Sequence, residues 1–357
     1  MSKYDPFNRG PQPVGTRQFS WTDEARNHTM PVDVWYPATE NYQGQDLTPE
    51  TQASFEMIPG MGMTLQQAVE NADPRSDCSP LIVFSHGFGG ERRQSTFLYT
   101  HLASHGYVVA SMDHVGNTTA DMLSGEGAAG DADVIDRFIQ SRPLDASFVI
   151  DAMLSGQSGL DIDSERIGMA GHSFGGWTTL KTLENDARIK AALPLAPAGG
   201  MTRLDPTNVM ATSLNFQFKR SVPTLLIVAD LDSILPLEGM QDLHTRHPGP
   251  RSTVVLQNAD HFHFNDAIEQ THDGYQMMLA GMAEGMEAEA RQGLEEMLAK
   301  MKPSSELVPG DQAYRLINGL GLAHFDAELR EDPSAIAMMR SNLVETAADQ
   351  GILIEVL

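Results

Sequence analysis

Short, uninterrupted runs of apolar residues recur between positions 80 and 256 and alternate with helical patterns. The apolar runs cover residues 81–84, 108–110, 167–170, 191–193, 224–229 and 253–256. Such runs are typical of strands that are covered on both faces, as in a parallel sheet. The helical patterns between them cover residues 97–105, 143–154 and 177–184. The alternation predicts a single α/β domain over residues 1–357, with a doubly wound, mostly parallel sheet.

Several stretches depart from this alternation. Residues 41–79, which follow an edge strand at 32–36, lack periodicity and predict an irregular insertion with one short helix at 64–71. Residues 116–133 are small, polar and acidic, so we expect a loop over the carboxyl edge of the sheet, where sites of open α/β sheets lie. Residues 273–309 predict a helical insertion, and residues 311–357 predict a closing helix and a C-terminal tail.

The helical insertion carries a stripe of methionine and leucine residues. It consists of Met278, Met282, Met286, Leu294, Met297, Leu298 and Met301. Side chains at this spacing lie on one face of a helix, and the opposite face is charged. The stripe either packs on the core, or forms a flexible cover over an apolar substrate or a partner-binding face. The insertion is therefore a possible lid.

The charge of the chain restricts its partners. The 357 residues have a net charge of −24, which disfavours attraction to nucleic acid or to an anionic membrane. Cys78 is the only cysteine, so no intramolecular disulfide can form, as is usual in a reducing compartment. The sequence after Met1 lacks the apolar segment of a signal peptide, and no run is long enough to span a bilayer. We therefore expect a cytoplasmic protein without a transmembrane segment.

The segment 171–175 reads Gly-His-Ser-Phe-Gly and follows one of the apolar runs. A helical pattern comes directly after it. In a strand–turn–helix context this motif forms a nucleophile elbow, in which Ser173 projects from the top of the sheet and Gly171 and Gly175 allow the tight turn. A serine nucleophile needs a histidine base, a carboxylate that orients the base, and donors for the oxyanion.

Candidates for the acid and the base follow the next two predicted strands. Asp230 and Asp232 come after the run 224–229, at the sheet edge where catalytic groups collect. We favour Asp232, because Asp230 is almost continuous with the strand and suits a turn or a cap. His261 and His263 come after the run 253–256. We favour His261 as the base and expect His263 to point elsewhere.

A glycine-rich loop, Ser85-His86-Gly87-Phe88-Gly89-Gly90, follows the first strong strand. The alternative interpretation is an ordinary turn, but its place in the chain suits an oxyanion hole formed by the amides of Phe88 and Phe174. Residues next to these positions are candidates for substrate binding, although His86 also suits a role in fixing the loop. The candidates are His86, Gly87, His172 and Trp177.

The motifs together resemble those of the platelet-activating-factor acetylhydrolase type II family and of bacterial proteins labelled predicted dienelactone hydrolases. The resemblance rests on residues 85–90, 101–110, 113–114 and 171–176. The segment 229–236 is similar to the acid loop of cutinase-like polyester hydrolases, in which the second aspartate is the triad acid. His261-x-x-Phe264-x-Asp266 resembles the histidine motif of the acetylhydrolases. These likenesses imply an α/β-hydrolase fold and favour Asp232 and His261.

The resemblance implies hydrolysis of a small-molecule or lipid-like carboxylic ester by Ser173, Asp232 and His261, without a metal or organic cofactor. Dienelactone hydrolases resemble the chain in fold, but they use a cysteine nucleophile where this chain has Ser173. Alternatives are an acyltransferase or an amide or thioester hydrolase with the same triad, and a non-catalytic binding protein of the same fold. The pairs His261/His263, His244/His247 and His101/His105 lack the carboxylate pattern of a zinc protease. The sequence makes no prediction of oligomeric state.

Overall fold

A long twisted sheet forms the centre of the computed structural model, which describes residues 4–56, 63–124, 132–284 and 288–357. The strands are β1 (Val14–Asp23), β2 (His28–Pro37), β3 (Ser54–Glu56), β4 (Met63–Leu65), β5 (Val69–Glu70), β6 (Ser79–Ser85), β7 (Val108–Met112), β8 (Ile162–His172), β9 (Ile189–Leu195), β10 (Thr224–Ala229), β11 (Arg251–Leu256) and β12 (Ile354–Val356). Within the described residues, ten of them form one sheet in the order β12-β11-β10-β9-β8-β6-β7-β2-β1-β5.

The middle of this sheet is parallel. Strands β7, β6, β8, β9, β10 and β11 pair in parallel with their neighbours, whereas β2 pairs antiparallel with β7 and β12 antiparallel with β11. The six apolar runs of the sequence correspond to the six parallel strands, and all their residues are buried. The prediction of a doubly wound, mostly parallel α/β-hydrolase sheet is confirmed.

Helices cover both faces of the sheet. They are α1 (Thr96–Ser104), α2 (Thr119–Ser124), α3 (Ala132–Leu154), α4 (Phe174–Asn185), α5 (Val209–Ser213), α6 (Leu237–Arg246), α7 (Ile268–Glu284), α8 (Ala288–Leu298), α9 (Gly310–Leu329), α10 (Pro333–Met339) and α11 (Leu343–Ala348). Helices α1, α9 and α11 pack on one face, and α3, α4 and α6 pack on the other. Adjacent residues of a strand point to opposite faces, so Ile82 lies in the first core and Leu81 in the second.

The parallel direction of the central strands brings their carboxyl ends to one edge. Ser85 ends β6, His172 ends β8, and the segments after β10 and β11 carry Asp232 and His261. Residues that are far apart in sequence therefore meet at this edge, as is usual for the sites of open α/β sheets.

The insertion before β6 differs from the prediction. Residues 64–71 hold the short strands β4 and β5 and not a helix. β5 adds to the edge of the large sheet beside β1, and β3 pairs with β4. The periodicity of these strands is too short to be read from the sequence, since each has only two or three residues.

The segment 116–133, expected to be a loop, contains α2 and the first residues of α3. Residues 125–131 of that prediction lie outside the described residues. α3 is longer than the predicted helix at 143–154 because Pro143 lies inside it and does not end it.

The methionine stripe does not lie on one helix. α7 and α8 are separate helices, and hydrogen bonds from His272 and Gln276 to the carbonyls of Lys302 and Met301 bring the end of the insertion back beside α7. Leu279 is buried, whereas Met278 and Met282 are exposed. The buried face of α7 therefore lies one residue further along the chain than predicted, at Leu279 and not at Met278. Met286 lies outside the described residues.

The segment after α9 is folded and adds β12 to the large sheet. The amide of Leu357 also donates to the carbonyl of Thr253 at 2.9 Å. Among the described helices, none combines the length and the hydropathy required to cross a bilayer.

The turn from β8 to α4 has no room for additional side chains. A Cβ on Gly171 would lie 2.8 Å from the carbonyl oxygen of Ser85, and a Cβ on Gly175 would overlap that same oxygen. The atom that such a Cβ meets is a backbone carbonyl oxygen, so no side-chain rotation relieves the overlap.

We expect Gly175→Ala to lower the free energy of unfolding by at least about 2 kcal/mol, because the new methyl group must displace the backbone of β6. Gly274→Ala is the matched control: Gly274 also lies in a helix, but a Cβ there meets no neighbouring atom within 4 Å. This control should stabilise the protein by about 0.5–1 kcal/mol. Urea unfolding followed by circular dichroism measures both changes, and equal stability of the two variants would contradict the contact.

Candidate active site

Ser173 occupies a strained turn between β8 and α4. Its backbone has φ 56° and ψ −117°, a left-handed conformation that is costly for any residue with a Cβ and that clusters at functional sites. The amide of Ser173 donates to Leu195 O at 2.9 Å, and its carbonyl accepts from the amide of Ala198 at 2.9 Å. The neighbouring strand β9 and the segment after it therefore hold the strained conformation.

Asp232 and His261 are hydrogen-bonded to each other. His261 Nδ1 lies 2.8 Å from Asp232 Oδ2, and both side chains are almost fully buried. The other carboxylate oxygen of Asp232 accepts from the amides of Ile234 and Leu235. These bonds fix the carboxylate, which in turn orients the imidazole.

Asp230 and His263, the less favoured candidates, make structural bonds instead. Asp230 Oδ1 accepts from the amide of Ala259 at 3.1 Å. His263 Nε2 lies 3.0 Å from Val308 O, and its Nδ1 contacts the backbone of Asp260. The structure thus brings Asp232 rather than Asp230 to His261, and it turns His263 toward the backbone.

Asp260 joins the loop that carries Asp232 to the loop that carries His261, and sequence reasoning missed it. Its Oδ1 accepts from the hydroxyl and the amide of Ser233 and from the amide of His261. One carboxylate therefore holds the segment after Asp232 against the segment that begins with His261. Its position directly before the histidine, as a helix-capping residue, was the available signal.

The glycine-rich loop lies against Ser173. A Cβ on Gly87 would lie 3.5 Å from the Cβ of Ser173, and the rings of Phe88 and Phe174 are stacked with centroids 6.3 Å apart. No hydrogen bond within the described ranges uses the amide of Phe88 or of Phe174. Phe174 follows Ser173 and Phe88 follows Gly87, so near the serine are two amides that have no partner in the described part of the chain, and an oxyanion hole needs such donors.

A second Ser-His-Asp arrangement lies underneath the glycine-rich loop and is completely buried. Ser85 Oγ is 2.8 Å from His114 Nε2, and His114 Nδ1 is 2.8 Å from Asp145 Oδ2. Burial and the nearby Arg142 lower the pKa of His114 well below its usual value, so the ring donates from Nδ1 and accepts at Nε2. Because all three residues are at most 1% exposed, we interpret this group as support for the end of β6.

His86 belongs to this support and not to the surface of the site. Its Nε2 accepts from the amide of His114 at 3.0 Å, its Nδ1 lies 2.7 Å from Gly87 O, and its carbonyl accepts from Arg142 Nη2. The ring is fully buried. This corrects the expectation that its side chain contacts substrate and favours the loop-fixing role.

Arg142 connects the support to the elbow. Its guanidinium lies over the ring of Phe174, with the carbon Cζ 4.4 Å from the ring centroid. Burial lowers the pKa of Arg142 to about 9, against the opposing charge of Asp145. Nε and Nη1 have no hydrogen-bond partner within the described residues. A buried arginine against Phe174 and the carbonyl of His86 was not predicted, because its position before Pro143 resembles an ordinary helical residue.

His172 and Trp177 also lie below the surface. The ring of His172 lies beside that of His261, tilted by 45° with centroids 4.6 Å apart, and donates from Nε2 to the carbonyl of His261 at 3.0 Å. Trp177 is fully buried, and its Nε1 donates to Met210 O at 2.9 Å. The expectation of direct substrate contact is corrected for Trp177, which packs beneath Phe174.

Helix α1 is clamped to the loop that carries His261. Asp266 accepts from the amides of Thr96 and Phe97 at 2.8 and 3.0 Å, and from the hydroxyl of Thr96. Ser95 Oγ donates to Phe264 O at 2.8 Å. Burial raises the pKa of Asp266 to about 6, although these donors oppose the shift. Asp266, the last residue of the motif His261-x-x-Phe264-x-Asp266, thus caps the N-terminus of α1.

The remaining histidine pairs are held by backbone and hydroxyl groups. His101 and His105 contact the carbonyls of Pro6 and Asn8, while His244 and His247 contact Thr253 and Thr224. Over the described ranges, no group of three His, Cys, Asp or Glu residues has a geometry suited to a metal ion.

Two family models match the chain. The model described as PET hydrolase-like covers residues 73–291, a range that includes Ser173, Asp232 and His261. The model described as platelet-activating factor acetylhydrolase, isoform II, covers residues 7–126. The first range is more than half of the chain.

Curated relatives and a solved structure show the same likeness. The cutinase est1 of Thermobifida alba is 31% identical over 188 residues, which are 51% of this chain and 53% of the relative. The platelet-activating factor acetylhydrolase of Cavia porcellus is 26% identical over 242 residues, 54% and 55% of the two chains. The chain thus spans about half the length of these relatives.

The ferulic acid esterase from Streptomyces cinnamoneus superposes with a TM-score of 0.62 at 24% identity, over 93% of this chain and 94% of that one, which shows the fold. The sheet, the placement of the elbow and the extent of the first family model lead to one conclusion: the chain belongs to the PET hydrolase-like family.

Proposed function

We propose that this protein is a serine carboxylic-ester hydrolase with Ser173 as nucleophile, His261 as base and Asp232 as the carboxylate that orients the base. The observation that carries the proposal is the His261–Asp232 hydrogen bond of 2.8 Å at the sheet edge where the strained Ser173 turn lies. The likeness to cutinases and to a platelet-activating factor acetylhydrolase supports ester hydrolysis.

The proposed reaction has two halves. Ser173 Oγ attacks the ester carbonyl carbon while His261 Nε2 takes the hydroxyl proton, and the amides of Phe88 and Phe174 stabilise the oxyanion. The intermediate collapses, the alkoxide leaves with the proton from His261, and an acyl-enzyme remains. Water then attacks the acyl carbon, again with His261 as base, and releases the acid and free Ser173.

We propose a small-molecule or lipid-like ester as substrate, bound next to α7. The ring of Phe262 lies 5.8 Å from that of His261 and 4.7 Å from that of Tyr275 on α7. A single aromatic side chain therefore separates the base from the helical insertion at 273–309, so we propose that this insertion borders the acyl group.

A cytoplasmic location stays a prediction from the lone Cys78.

The nucleophile is tested with Ser173→Ala. Removal of the hydroxyl should lower kcat for p-nitrophenyl esters by at least about a thousandfold, since no acyl-enzyme can form. Labelling with a fluorophosphonate should be lost in the same variant. Ser221→Ala is the control and should retain both properties, because Ser221 is exposed and lies just before β10, at the amino ends of the parallel strands. Turnover or labelling of Ser173→Ala at the wild-type level would overturn the proposal.

The acid is tested by a matched pair of variants. Asp232→Asn should lower kcat by about a thousandfold or more, because an amide no longer stabilises the imidazolium or holds its tautomer. Asp230→Asn preserves the acceptor for the amide of Ala259 and should remain within about threefold of the wild type. Steady-state kinetics on one ester measures both, and the reverse ranking would assign the role to Asp230.

The border of the acyl site is tested with Tyr275→Ala. Loss of the ring should lower the ratio of kcat/KM for p-nitrophenyl octanoate to that for the acetate by at least about fivefold, since apolar contact with the longer chain disappears. Met277→Ala is the control, because Met277 lies on the same helix with its side chain in solvent. An unchanged ratio in Tyr275→Ala would show that α7 does not border the acyl group.

A further inference from the structure

Three consecutive hydrogen bonds connect the glycine-rich loop to the loop of the proposed base. The amide of Gly87 donates to Gln94 Oε1 at 2.9 Å, and Gln94 Nε2 lies 3.0 Å from His172 Nδ1. His172 Nε2 lies 3.0 Å from the carbonyl oxygen of His261. Gln94 and His172 are buried. These bonds lie close to Ser173, because a Cβ on Gly87 would be 3.4 Å from Gln94 Oε1 and from His172 Nδ1 and 3.5 Å from the Cβ of Ser173.

The direction of these bonds is determined by their two ends. The amide of Gly87 can only donate, and the carbonyl of His261 can only accept. Gln94 must therefore accept with its oxygen and donate with its NH₂ group. His172 must accept at Nδ1 and carry its proton on Nε2, so the ring is neutral. Burial, followed by the proximity of His261, lowers the pKa of His172 well below its ordinary value, which agrees with this state.

The packing around Gln94 leaves space for this side chain and for little else. A Cβ on Gly90 would overlap Gln94 Oε1, and one on Gly87 would lie 3.4 Å from the same atom. The backbone of Gln94 takes part as well, because its carbonyl accepts from the amide of Asp266 at 2.7 Å. Gln94 is thus joined to the base loop both through its own backbone and through the ring of His172.

We propose that Gln94 is a positioning residue of the esterase. Through His172 it holds the loop of Phe88 and the loop of His261 in register. It also keeps His172 neutral, with the proton on Nε2. This inference rests on the proposed function. In that reaction His261 becomes positively charged, and a second charge on His172, with its ring centroid 4.6 Å away, would oppose the proton transfer. Glutamine is the side chain that accepts at one end and donates at the other without carrying a charge.

Two variants separate these roles. Gln94→Met has a similar length but neither accepts from Gly87 nor donates to His172. Gln94→Glu retains the acceptor for Gly87, but an ionised carboxylate has no proton to donate, so His172 must carry one on Nδ1. Gln66→Met is the matched control: Gln66 is also buried, and its Oε1 accepts from Trp35 Nε1 at 2.7 Å, outside the proposed site.

The expected kinetic result is a loss confined to kcat. Gln94→Met should lower kcat by about tenfold to a hundredfold with KM within about threefold, since small errors in the placement of reacting groups cost this much. Gln66→Met should remain within about twofold in both constants. A kcat of Gln94→Met within twofold of the wild type, or an equal loss in Gln66→Met, would overturn the proposal.

The tautomer of His172 supplies a readout that does not depend on turnover. In ¹⁵N NMR of the full-length protein, His172 should show a bare Nδ1 and a protonated Nε2 from pH 6 to 8 in the wild type, and a protonated Nδ1 in Gln94→Glu. An Nδ1–H tautomer of His172 in the wild type would overturn the proposal. This comparison stands if Gln94→Met does not fold. It also stands if Ser173→Ala remains active, so failure of the proposed function is distinguished from failure of the Gln94 role.

Discussion

The close contact between the end of β6 and the turn after β8 is the constraint on which the site depends. Gly171 and Gly175 bring the backbone around Ser173 against the carbonyl of Ser85, so the start of the glycine-rich loop and the proposed nucleophile are held together by main-chain atoms. The left-handed conformation of Ser173 is strained. On the other side the amide of Ser173 donates to the carbonyl of Leu195, and the carbonyl of Ser173 accepts from the amide of Ala198, which holds this conformation.

The layer of polar groups under the site is built from uncharged histidines. His86, His114 and His172 are buried, and burial lowers the pKa of each. A neutral imidazole both donates and accepts, so it connects loops without the desolvation cost of a buried ion. Arg142 and Asp145 are the exceptions: the buried guanidinium lies against the face of the Phe174 ring, and the buried carboxylate accepts from His114. In the proposed reaction, the positive charge that develops on His261 therefore lies next to a neutral ring, that of His172.

The sequence predicts the parts of this protein that depend on local pattern and on chain order. The six buried parallel strands are visible as apolar runs, and Ser173, Asp232 and His261 follow strands in the order that their proposed roles require. The structure places Asp232 against His261, a choice that spacing alone left open against Asp230. Contacts between distant segments were not predictable: Gln94 meets His172, and Asp145 meets His114, only because the sheet brings them together. The rotation of α7 was also missed, because a methionine stripe does not show which side of a helix meets the protein.

The two edge strands of the large sheet are unusually short. Within the described residues, β5 at one margin has two residues and β12 at the other has three. An exposed strand edge offers unpaired backbone groups to any other chain, and short edge strands limit such intermolecular pairing. β12 covers β11, the strand that leads to His261. The same three residues that complete the sheet thereby protect the strand nearest the proposed base from edge-to-edge aggregation.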